Sequence, residues 1–431
     1  MTARNSSRLC TFTFHCFARE PALSDHHEPE QSSLHQLLLL CGSFFFLFMG
    51  VAAVQQFLVP ILSDRAHISS TSASSIFALV YFSGPFWLAL YGYYFQVLRE
   101  KWSIVLAGCM YTVFGLLIYL THDYRLAILA AVLWGWGGET LWATGPAQVI
   151  NVSDPKRRGS IAGLFQSSTY SGQMLGVILF GYILSRYTAG GVQAPALQRA
   201  GQDAVLLVAI GISLIGNILS LFLRVKPKDL PPARLRDAIV ALDHPAGRYL
   251  VLLSVANYLG WGLVLTSFTI LVVQQHQLDK LSWIILPYYI GRLVVAWIAG
   301  HTSDRVGRER VMMAGFILGA VALAAVAFFQ SPPVVAGAAL ILGMQAAMVS
   351  VAMTAAVGDY IKPNDRHLVF AGTNAWGYLT AGTVMIAGPL IRDWMGNFTS
   401  TFLVFAVFYG ACAFIAAGMK ARLAREKAEA A

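Results

Sequence analysis

From residue 34 onward the apolar positions fall in runs of roughly 20 residues or more, the length an α-helix needs to cross about 30 Å of hydrocarbon. Clusters of Gly, Pro and charged residues separate the runs, and the pattern predicts helices near 35–62, 71–97, 102–121, 126–150, 159–187, 203–224, 249–274, 281–302, 310–330, 333–358, 367–392 and 399–419. The one long internal polar stretch, 225–247, falls between the sixth and seventh runs and reads as a linker. The expected fold is an all-α membrane protein with twelve transmembrane helices in two six-helix bundles. Its parts are a cytoplasmic tail over 1–33, a bundle over 34–224, a cytoplasmic linker over 225–247, a second bundle over 248–420 and a cytoplasmic tail over 421–431.

Composition agrees. Of the 431 residues 57% are hydrophobic and 12% charged, and the mean hydropathy is +0.62. That leaves too little polar surface to close a soluble globule. The net charge of +9 sits in short loops, not on one continuous face, which argues for topology and against nucleic acid. With the N-terminus in the cytoplasm, only Arg65, Arg125, Arg186, Arg199, Lys280 and Arg392 fall outside, Arg292 falls within a span, and every other Lys and Arg faces inward. The asymmetry predicts that both termini are cytoplasmic, in a bacterial inner or internal membrane. The cysteines at 10, 16, 41, 109 and 412 show no paired spacing and read as free thiols. The histidines of the N-terminal tail have no second ligand pair, so no metal or cofactor is expected.

The halves look like faint copies. DPKRRGSIAG follows the fourth run and KPNDRHLVFAG the tenth, each a basic cluster leading to an Ala-Gly pair, with Gly172 and Gly382 further on. Small residues on one stripe let helices approach closely, and their recurrence suggests a six-plus-six repeat.

The sharpest local signal is GHTSDRVGRER between the eighth and ninth runs. Gly300, Asp304, Arg305, Gly307, Arg308 and the trailing Arg310 follow the signature loop of the major facilitator superfamily, which the chain resembles in span count, linker and repeat as well. A second copy is expected between the second and third runs. There GYYFQVLREKW, starting at Gly92, has Gln96 and Val97 in place of the Asp-Arg pair. The resemblance implies a gate in which Asp304 lies near the N-terminal end of a neighbouring helix, expected to be the eleventh, which starts after Arg366. Arg305 and Arg308 would pair with carboxylates or headgroups.

Ionisable groups inside apolar runs are costly and point to function. Glu139 lies mid-span in the fourth run, and the resemblance places the first, fourth, seventh and tenth helices around the cavity, which makes Glu139 a candidate proton-coupling or cation site. Arg292 lies at comparable depth in the eighth. It could neutralise Glu139, bind an anionic substrate group, or pack helices together. Gln55, Gln56, Asn257, Tyr258 and Gln345 are the candidate polar lining, and each could equally be an interhelical hydrogen bond. Gly135, Gly137, Gly138 and Gly145 with Pro146 predict a breakable fourth helix.

There is no GxxxxGK[ST], HExxH or GxSxG, so ATP hydrolysis and intramembrane hydrolase chemistry are disfavoured. The expected function is secondary active, proton-coupled transport of a small molecule or ion by alternating access, with membrane lipid as the other partner and no enzymatic activity. A non-transporting receptor of the same fold is the alternative. Drugs, siderophores, metals and nutrients stay open as cargo, and no motif assigns a subfamily.

Overall fold

The computed structural model describes residues 31–68, 70–121, 123–151, 153, 155–188, 195–224, 245–276 and 281–429. The predicted N-terminal tail up to residue 30, with Cys10 and Cys16, and the predicted linker over 225–244 lie outside the described residues. Among those described there are helices and no strands.

Twelve helices run in chain order through the described residues. The first, α1, is Leu34–Ala66. A continuous helical stretch, Ser70–Leu120, is broken at Arg99, where φ is 56° and ψ 176°, which divides it into α2 (70–98) and α3 (100–120). Then come α4 (Tyr124–Asn151), α5 (Arg158–Thr188) and α6 (Pro195–Leu221). The second half begins with α7 over 245–276, then α8 (Leu281–Val306), α9 (Arg308–Phe328), α10 (Pro332–Tyr360), α11 (Arg366–Met395) and α12 (Phe398–Glu429). Among the described residues, nine helices are long and apolar enough to cross a membrane. Outside these nine, α5 and α11 form the main contacts between the halves: α5 packs on α8 and α11 on α2. Gln166, Thr169 and Gln173 on α5 and Thr373 on α11 are buried, so polar side chains lower the hydropathy of helices whose faces meet protein instead of lipid.

The fourth helix does not break, contrary to expectation. Its glycines serve close packing. A Cβ on Gly137 would lie 2.7 Å from the Ala107 carbonyl oxygen, and one on Gly135 or Gly145 would collide with Ser83 or Phe44. The irregular turns lie instead in α1 and α7. The α1 helix leaves helical geometry at Gly50 and carries a 3₁₀ turn at Gln55–Phe57, with the Val51 amide donating to Ser213 Oγ at 2.9 Å. The α7 helix carries a π-helical turn at Val264–Phe268. Irregularities of this kind often sit at functional sites, and interrupted helices at matching places flank binding sites in repeat-built carriers.

Candidate functional site

A cavity of about 110 Å³ lies between the halves, lined from α1, α2, α3, α4 and α5 on one side and α7, α8, α10 and α11 on the other. Its wall is largely aromatic, and Arg292 is the one charged side chain among the residues lining it. The guanidinium of Arg292 is buried against ring faces, 3.9 Å from the centroid of Tyr170, 4.8 Å from Trp261 and 5.4 Å from Tyr288. It donates to Gln173 Oε1 at 3.3 Å. Cation–π contacts of this kind are worth about 2 kcal/mol when desolvated, yet they leave the formal charge without an anion. No carboxylate pairs with Arg292 among the described residues, and its Nε and the nearby Gln166 Oε1 are buried without partners.

Glu139 is fully buried, and neither of its carboxylate oxygens has a hydrogen-bond partner. It lies behind the cavity wall, not in it: Gly138 is the lining residue, with the hydroxyls of Tyr378 and Tyr111 about it. Glu139 and Arg292 therefore do not neutralise each other in this conformation. Each is a buried ionisable group without its counter-charge, a costly arrangement that structures keep for use.

The amides divide. Gln55 lines the cavity and accepts from Tyr81 Oη at 3.1 Å. Trp261 Nε1 donates to the same hydroxyl at 2.7 Å, so the ring that covers Arg292 is tied to the opposite half. Asn257 donates to Ser350 Oγ at 3.0 Å and Tyr258 to Asn374 Oδ1 at 3.1 Å, both at the wall. Gln56 and Gln345 do not line the cavity. Gln56 donates to Thr269 Oγ1 and accepts from Tyr289 Oη, each at 3.0 Å, and so pins α1 to the other half. Gln345 accepts from Tyr409 Oη at 3.3 Å inside its own bundle.

At the end of the molecule that carries the α8–α9 turn, the halves are clasped. Asp304 caps α5, not α11 as expected. Its Oδ1 accepts from the Gly159 amide at 3.1 Å, and its Oδ2 from the Ser160 amide at 3.0 Å and Ser160 Oγ at 2.9 Å. Packing decides the partner, because α8 lies on α5. A Cβ on Gly163 would stand 2.8 Å from the Ala296 carbonyl oxygen, and one on Gly300 would collide with the Gly159 carbonyl. A carboxylate on the free amides of a helix N-terminus is favoured by both hydrogen bonding and the helix dipole. Arg308 holds Asp304 Oδ1 at 2.5 Å and Asp359 Oδ2 at 3.1 Å. Arg305 is exposed and makes no ion pair among the described residues. Gly307 has φ +106° at the N-cap of α9, a conformation that favours glycine.

Sequence reasoning missed the rest of the clasp. Arg158, first in α5, donates to the Gly358 carbonyl at 2.6 Å and to Asp359 Oδ1 at 3.3 Å. Arg366, first in α11, donates to the same carbonyl at 3.0 Å and to Asn151 Oδ1 at 3.4 Å. The interval between Gly92 and Gly300 also separates Arg158 from Arg366 and Asn151 from Asp359. That shared interval was the signal in the sequence that could have found them.

The profile of the Major Facilitator Superfamily matches residues 40–247 and 250–430. The chain belongs to the major facilitator superfamily. A probable 4-methylmuconolactone transporter of Cupriavidus pinatubonensis is 25% identical over 327 residues, which is 71% of this chain and 73% of that relative. Among solved structures, the proton:xylose symporter XylE superimposes with a TM-score of 0.70 at 15% identity, over 90% of this chain and 95% of that one. The transporter FucP in its outward conformation gives 0.66 at 15% identity, over 90% and 99%. The human organic anion transporter MFSD10 gives 0.67 at 15% identity, over 90% and 100%. The solved structures show the fold, with its two six-helix bundles, and the profile shows membership of a family of transporters.

Proposed function

We propose that this chain is a secondary active transporter that carries a small organic anion across the membrane together with a proton, by alternating access. The observation that carries the reading is Arg292, a buried cation in the cavity between the halves with no carboxylate to balance it among the described residues. A substrate carboxylate supplies that missing anion through charge-assisted hydrogen bonds of about 1.5–3 kcal/mol each. The name of the Cupriavidus relative, a lactone transporter, and that of the human fold relative, an organic anion transporter, fit such a cargo.

Glu139 is the coupling group. It sits one residue behind the wall, unpaired, within electrostatic reach of Tyr94, Tyr258 and Tyr378, where a proton can come and go as the cavity is exposed to one side and then the other. Exposed Arg157, Arg305, Arg310 and Lys362 on the clasp face support placing that face, and both termini, in the cytoplasm. The clasp and the Gln56 pin both hold the halves together in this conformation. The test is uptake of labelled benzoate into proteoliposomes under an inward proton gradient. Accumulation that collapses with a protonophore and disappears in Arg292→Gln is expected. Accumulation that Arg292→Gln leaves intact would remove the reading.

A further inference from the structure

The cavity wall constrains the cargo more narrowly than its sign. Arg292 is the one charge among the lining residues, so the site can balance a single carboxylate, and a second negative charge would be buried with nothing to pair it. Beyond the guanidinium the wall is built of rings set edge to face. Phe48 and Trp142 stand 5.3 Å apart at 80°, Tyr81 and Tyr378 5.3 Å at 78°, and Tyr258 and Tyr378 5.2 Å at 74°. Ring faces and edges on such a wall can stack on, or meet edge to face, a flat unsaturated body in ways that a puckered saturated one of equal area cannot match.

The α7–α10–α11 wall carries Asn257 with Ser350 and Asn374 with Tyr258, polar pairs that can receive an oxygen on such a ring. The volume sets the size. About 110 Å³ holds on the order of ten water-sized positions at 10–15 Å³ each, room for a molecule of about ten non-hydrogen atoms.

We propose that the ligand of this cavity is a monocarboxylate borne on a flat, unsaturated ring of that size. The proposal rests on the organic-anion reading above and deepens it. It excludes dicarboxylates and long flexible acids as good ligands, and it makes the Tyr378 ring a specificity-determining group while Arg292 remains the anion contact.

The experiment is equilibrium dialysis of labelled benzoate against the purified full-length protein, with unlabelled cyclohexanecarboxylate, phthalate and benzamide as competitors. Benzoate is expected to bind saturably, to be displaced by cyclohexanecarboxylate only at about tenfold higher concentration, the worth of one aromatic contact, by phthalate only at about tenfold higher concentration or more, because its second charge would be buried unpaired, and by benzamide not at all. Tyr378→Leu is expected to erase the preference for benzoate over cyclohexanecarboxylate, and Arg292→Gln, checked as monodisperse, to abolish binding of both. If cyclohexanecarboxylate or phthalate competes within twofold of benzoate, the ring and single-charge claims are overturned while the anion reading stands. If benzamide competes equally, or Arg292→Gln binds normally, or no carboxylate binds, the anion reading falls with them.

Discussion

The turn between α8 and α9 and the turn between α2 and α3 share a backbone path and differ in chemistry. Stepping by the interval from Gly92 to Gly300, Gly307 falls on Arg99, and both have positive φ, +106° and 56°. Arg308 falls on Glu100, Asp304 on Gln96 and Arg305 on Val97. In the second half the turn supplies a carboxylate to the N-terminus of α5 and an arginine to Asp359. In the first half Val97 is 81% exposed, and Glu100 accepts from Gln148 of α4, so the charge at that place is reversed.

The clasp is uneven in the same sense. Its Arg158–Asp359 arm is an ion pair, and its Arg366–Asn151 arm joins an arginine to a neutral amide. A repeat fixes the path of the chain, and the side chains hung on it decide which corner locks. Here the α5–α8 corner is held by charge, and α2 packs closely on α11, with Gly84 against Tyr378 and Gly382 against Phe82, so opening should be governed by the former.

The largest effect is expected from Asp304→Asn, which removes the charge on the α5 amides and one of the two carboxylate partners of Arg308. Each hydrogen bond weakened in this way is charge-assisted and worth about 1.5–3 kcal/mol, enough to shift a two-state equilibrium about tenfold or more. Flux should fall by at least that factor while membrane abundance stays near wild type, read by proteoliposome uptake and quantitative blotting. The same substitution with normal flux would break the comparison.

A smaller effect should separate the arms. Asp359→Asn makes both arms neutral and Asn151→Asp makes both ionic. The first, which also takes Asp359 from Arg308, should increase the accessibility of a cysteine introduced on the clasp face by about threefold or more, and the second should decrease it by about threefold, for part-buried pairs each worth under about 1 kcal/mol. Equal responses in the same direction would show that the arms are not alternatives. The smallest effect is conformational. Arg99→Gly relieves a strained positive φ and should stabilise by about 0.5 kcal/mol net of the entropy of glycine, whereas Gly307→Ala should destabilise by about 1 kcal/mol, both read by thermal unfolding in detergent.

The helices were legible in the sequence because hydrocarbon thickness fixes the length of an apolar run, and the signature loop was legible because its residues are contiguous. Which helix Asp304 would cap was not, because that depends on α8 lying on α5 through Gly159, Gly163 and Gly300, residues far apart in the chain. Glu139 and Arg292 stood out as ionisable groups in apolar runs, and the structure buries both, Arg292 at the cavity and Glu139 behind its wall. It does not pair them, and nothing local says which rings will surround a guanidinium: Tyr170, Trp261 and Tyr288 come from different helices. Gln56 and Gln345 look like cavity amides in the sequence, and their use as pins follows only from the partners opposite them. The glycines of α4 read as a break, yet a glycine in a helix marks close approach as readily as weakness.

The measurement that tests the account most directly is the separation of exchange from accumulation in Glu139→Gln. The variant keeps the shape of the side chain and cannot carry a proton. In proteoliposomes loaded with unlabelled benzoate, labelled benzoate should still exchange at a rate near that of the wild type, while uptake driven by a proton gradient should fall to the level without a gradient. Gradient-driven accumulation with unchanged pH dependence in Glu139→Gln would contradict the account, place proton coupling elsewhere and leave Glu139 as a residue of helix packing.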